Sequence, residues 1–161
     1  MLEITILAIV VFIVASILLI GYTILDIHGQ LIPNRFILLG ALIGITVTIL
    51  SGHFLHHIIL HIAAFLFMAI VGYTLFHIGS FGGADVKVVL ILSVVSPGLE
   101  FTSWGNPVFE AILIAGVQLA VMLGGGYVYS KIKKQIEKTG PVPLIPFLLL
   151  AYLLLQLLAF F

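Results

Sequence analysis

The chain has 161 residues, of which 63% are hydrophobic and 7% charged, against about 25% charged in a soluble domain, so its solvent is expected to be largely lipid. The formal net charge is zero, which leaves no global field to attract nucleic acid. The absence of cysteine excludes a disulfide framework and a zinc site built on thiolates. At this length, a single integral membrane domain over residues 1–161 is the expectation.

A bilayer core about 30 Å thick takes roughly 20 apolar residues as helix. Residues 4–25 meet that criterion. They are read as a retained span rather than a signal peptide, because Glu3 is the only charge before them and no A-x-A-like site follows. A short polar loop over 26–35 contains Gly29 and Pro33. A second span runs from 35 or 36 to about 50, and a His-rich turn covers 51–57. The third span covers 57–77, and residues 79–85 are Gly-rich and irregular. Residues 86–95 form a brief fourth apolar run ended by Ser96, Pro97 and Gly98. A loop over 100–107 leads to a fifth span over 109–129. The strongly charged segment 130–140 precedes a sixth span over 143–161. The fold class predicted is all-α, a bundle of six transmembrane helices with a short fourth. No internal repeat is evident.

The basic residues segregate. Arg35, Lys87, Lys131, Lys133, Lys134 and Lys138 all fall after the first, third or fifth span, whereas Glu3, Glu100 and Glu110 fall on the other side. The positive-inside rule then predicts both termini outside and these three loops in the cytosol of a prokaryotic cell membrane.

The chain holds only two aspartates, Asp26 at the end of the first span and Asp85 before the fourth, both on the predicted cytosolic face. Ionisable groups at membrane depth are costly and usually functional. Two carboxylates brought together share a proton. One can then activate water while the other protonates a carbonyl, which is the chemistry of aspartic proteolysis. The opposing reading makes both acids structural, with Asp85 as a helix N-cap. The helix dipoles would keep Asp85, at an N-terminus, ionised and Asp26, at a C-terminus, protonated. Gly82, Gly83 and Ala84 bring a run of small residues up to Asp85, which would let a substrate strand approach closely.

Asp26-x6-Pro33-Asn34, followed by Gly82-Gly83-Ala84-Asp85-Val86-Lys87, resembles the paired motifs of the type IV prepilin and archaeal preflagellin peptidases, membrane aspartyl proteases named for G-x-G-D. Pro143-x-x-Pro146-Phe147 resembles that family's proline-rich entry to its final helix. The resemblance implies Asp26 and Asp85 as the catalytic pair, with Gly82, Gly83, Ala84, Lys87, Pro33 and Asn34 as motif or substrate-binding positions. It implies a prepilin-like precursor as substrate: a short basic leader, a cleavage point after a small residue, then an apolar helix. No metal or cofactor is implied. Ala84 stands where the motif name has Gly, and the first loop lacks the basic residues common there. The cysteine-bearing segment of the bifunctional members is missing, so only the peptidase activity carries over.

The alternative from a different class is a small proton- or cation-coupled transporter or channel subunit using Asp26 and Asp85. Such proteins usually show internal repeats. His53, His56, His57 and His61 read as interfacial polar tips in preference to a metal site. His28 and His77 are placed to tune the acid pair. Asn34 is expected to cap the second helix, and Gly124-Gly125-Gly126 to permit close packing or a kink. The Lys131–138 segment is expected to meet anionic lipid. Nothing in the sequence sets an oligomeric state.

Overall fold

The structure is a computed structural model, and it describes residues 6–29, 32–102, 104–135 and 142–159. Among these there are seven helices: α1 (Ile6–Gly29), α2 (Asn34–Leu50), α3 (His53–His56), α4 (Ile58–His77), α5 (Gly83–Val95), α6 (Pro107–Gln135) and α7 (Ile145–Leu158). The protein is an all-α membrane protein. By length and composition α1, α4 and residues 107–133 of α6 can cross a bilayer, while α2 and α7 are shorter apolar helices. The short fourth element of the sequence is α5, at 13 residues. The one addition is α3, a single turn inside the expected His-rich loop.

The helices close a ring in which α1 packs on α7, α7 on α6, α6 on α4, α4 on α5, α5 on α2 and α2 on α1. A large cavity opens among the C-terminal parts of α1 and α6, the segment after α4, and the starts of α2, α5 and α7. A second, small cavity gathers the opposite ends. This is the antiparallel alternation that six apolar segments with short connections demand.

Each helix turns a narrow stripe inward. On α1 the buried residues are Ala8, Val11, Ala15, Leu19, Tyr22 and Asp26, at the three- and four-residue spacing of one helical face. Large aliphatic side chains such as Ile6, Leu38 and Ile70 point out, as expected where lipid is the solvent. Lipid gives no hydrophobic drive between helices, so close contact between backbones matters. Gly40 supplies such contact, since a Cβ there would run into the Tyr22 ring, with Cζ at 2.9 Å. The Tyr22 hydroxyl donates to the Ile37 carbonyl at 3.3 Å across the same seam.

Two local structures place the Gly-rich segment. α4 ends at a left-handed Gly79, φ 81°. The Ser80 N–H returns to the Leu75 carbonyl and the Gly79 N–H to that of Phe76, a Schellman closure that favours glycine. α5 then starts at Gly83, three residues earlier than the apolar run alone predicts.

Candidate active site

The cavity has a volume of about 930 Å³. All eight residues singled out in the sequence line it: Asp26, Pro33, Asn34, Gly82, Gly83, Ala84, Asp85 and Lys87. Leu123, Gly126, Tyr127 and Ser130 of α6, with Val142 and Leu144 before α7, also line it. The two aspartates come from separate helices and lie close enough to act on each other electrostatically.

Asp85 is not the N-cap of α5. Gly82 is, and Asp85 occupies the third helical position. Its Oδ2 accepts the Gly82 N–H at 2.8 Å, the carboxylate half of a capping box. Gly82 has no side chain to return the bond. Structural capping and a place in the cavity therefore coexist in one residue, because a carboxylate has more acceptor sites than one N–H occupies.

Asp26 lies in the last turn of α1 and is buried. Its Oδ2 accepts the Ile145 N–H at 3.1 Å, and the Leu144 N–H also bears on it. These are donors at the start of α7. The C-terminal dipole of α1 alone therefore does not set Asp26 apart from Asp85, since each carboxylate is held by N–H groups at the start of a helix. This contact is not legible in the sequence. A backbone donor has no residue signature, and the only pointer was the proline pair flanking Leu144 and Ile145, with Pro146 in the first turn of α7.

Asn34 does not cap α2. It is the first helical residue, with Pro33 preceding it as N-cap. Its Oδ1 instead accepts a hydrogen bond from Lys87 Nζ at 2.7 Å, tying α2 to α5 at the cavity edge. His28 and His77 do not line the cavity. His28 Nδ1 meets the Ile24 carbonyl of its own helix at 2.9 Å, and His77 stacks on Tyr73.

The histidines at the other end are not all interfacial tips. His53 and His61 are buried, with Nδ1 of the first 3.2 Å from Nε2 of the second. His53 Nε2 lies 3.1 Å from Glu100 Oε2. Glu100 Oε1 accepts the Ser96 hydroxyl at 2.6 Å, Ser96 meets the Tyr152 hydroxyl at 3.1 Å, and Gln156 accepts the Glu100 N–H at 2.9 Å. Among the described residues no three His, Asp or Glu side chains are arranged to hold a metal ion. Glu110 is buried and accepts the N–H groups of Leu99 and Trp104 at 3.1 and 3.0 Å.

Residues 12–160 match the family model described as the type IV leader peptidase family. No curated protein and no solved structure matches the chain.

Proposed function

The chain belongs to the type IV leader peptidase family, and from that premise we propose that it is an aspartic endopeptidase that removes the leader from prepilin-like precursors, with Asp26 and Asp85 as its catalytic pair. One observation supports this most. The only two aspartates of a very apolar chain line one large cavity from different helices, each fixed by a backbone N–H. Water in that cavity loses a proton to one carboxylate and attacks the scissile carbonyl. The other member, which holds the pair's shared proton as a carboxylic acid, gives it to the carbonyl oxygen, and the proton taken from water later passes to the leaving amine. The reaction calls on no group beyond water and the two acids, and the reading assigns no methyl transfer to this chain.

The bare backbone at Gly82 and Gly83 supports an extended substrate lying against it, held by main-chain hydrogen bonds as in strand addition. Lys87 and Asn34 fix the rim of the cleft. Arg35, Lys87, Lys131 and Lys133 lie at the cavity end of their helices, which by the positive-inside rule supports a cytosolic cavity with both termini outside. A single domain over 1–161 carries the activity.

The test is cleavage of a pilin-type precursor in membranes containing the protein. The intact chain should convert precursor to mature product, and Asp26→Asn and Asp85→Asn should each fail while remaining folded. Cleavage that survives in either variant would remove the paired mechanism.

A further inference from the structure

Asp26 lies on α1, yet the groups that hold it are the first N–H donors of α7. α7 packs on both α1 and α6, and on α6 the contact runs through a glycine segment. Gly124, Gly125 and Gly126 are consecutive in sequence but not equivalent in space. A Cβ at Gly124 would meet nothing within 4 Å. At Gly125 it would fall 2.6 Å from Cγ of Phe147 and 2.9 Å from Cε1, with Cδ1 nearer still. Cγ is the root of the ring, so turning the ring about its own axis does not clear it. Phe147 must swing about χ1 or the turn that carries it must move.

Both escapes meet resistance. The ring stands edge-on to Tyr129, centroids 6.3 Å apart, so Phe147 is wedged between two α6 positions one turn apart. Pro146, in the first turn of α7 beside Ile145 and Phe147, has a fixed φ. Displacement at Phe147 therefore passes to Ile145 and its N–H. Gly125 itself does not line the cavity, whereas Gly126 does.

We infer that Gly125 is a positioning residue for Asp26: its missing side chain lets the first turn of α7 sit against α6 at the height where the Ile145 N–H holds the carboxylate. This rests on the peptidase reading above and adds to it a residue outside the cavity that sets the geometry of one acid.

The experiment measures precursor cleavage and thermal unfolding for Gly124→Ala, Gly125→Ala, Gly125→Ala/Phe147→Ala and Asp26→Asn in nanodiscs. Gly125→Ala should keep a cooperative unfolding transition and an almost unchanged KM, because the cavity wall is untouched. Its kcat should fall about a hundredfold, the cost of roughly 1 Å of misplacement. Removing the ring in the double variant should restore most of kcat, and Gly124→Ala should behave as the parent. Three results would each overturn the inference: normal kcat in Gly125→Ala, a loss confined to KM, or an unfolded Gly125→Ala, which would make the glycine a packing residue only. Failure of the double variant to recover kcat also counts against it. Asp26→Asn separates the two levels: if it cleaves normally, the catalytic assignment falls, whatever Gly125 does.

Discussion

Replacing Asp26 by Asn separates the chemistry of the acid from its structural bond. Asn keeps the shape and one oxygen, which can still accept the Ile145 N–H now held at 3.1 Å. A hydrogen bond to a charged acceptor contributes about 1.5–3 kcal/mol and a neutral one about 0.5–1.5, so the stability loss is expected to be about 1–1.5 kcal/mol. Asp26→Ala instead leaves a buried N–H unpartnered, at about 1–3 kcal/mol, and should be the less stable of the two. Activity should not follow that order. Loss of a general acid or base costs about 10²–10⁴ in rate, so both variants should be inactive on the timescale of the parent reaction. Because the two acids act as a unit, Asp26→Asn/Asp85→Asn should be no slower than either single variant. The assay is a time course of precursor cleavage in nanodiscs at matched concentrations of folded protein, with unfolding followed on the same samples. An Asp26→Asn protein retaining more than about a tenth of parental kcat would refute the reasoning. So would a double variant far slower than both singles, since that would mean the acids contribute independently.

Ala84 lines the cavity and packs half-buried on the core, so Ala84→Gly should cleave normally while Ala84→Leu should lose about a hundredfold by holding the substrate away; near-normal turnover of the Leu variant, measured alongside its unfolding, would contradict this. Accessibility mapping should find tags at both termini reachable only from outside the cytosol and a tag near Lys134 only from inside, and a cytosolic N-terminus would reverse the assignment. Glu110→Ala frees the N–H groups of Leu99 and Trp104 and should cost about 2 kcal/mol in unfolding experiments, with turnover per folded molecule unchanged because Glu110 lies at the end remote from the cavity.

Much of the cavity was legible because polar residues are scarce in this chain. Two aspartates, one Gly-Gly-Ala run and a set of segregated basic residues had few ways to be arranged once the spans alternated. Residues whose role depends on a helix boundary were less legible. Asn34 lies inside α2 rather than before it, and Asp85 sits three residues beyond the cap, because α5 begins within the Gly-rich run that reads as loop. The network of Ser96, Glu100, His53, His61, Tyr152 and Gln156 was missed for another reason. Its members lie on elements distant in the chain, and each alone looks like one polar residue on an apolar segment. Their shared burial exists only in three dimensions. Isolated polar residues in the α7 run, Tyr152 and Gln156, were the available signal, since lipid tolerates such groups only with partners.

At 13 residues and 1.5 Å per residue, α5 is about 20 Å long, shorter than the roughly 30 Å hydrocarbon layer it sits in. Its first turn opens onto the large cavity, and its C-cap, Ser96, already belongs to the Glu100 network at the other end. Between these two polar ends the helix is an apolar body, in which Val88, Val89, Leu92 and Val95 are almost wholly enclosed in a core shared with Leu19, Met68, Leu119, Met122 and Leu148. An enzyme that admits water to reach a peptide bond must still not discharge the cell's ion gradients. In this chain that duty falls on the apolar body of α5 together with the side chains its neighbours pack around it, which makes α5 part of a gasket as well as the mount for Asp85.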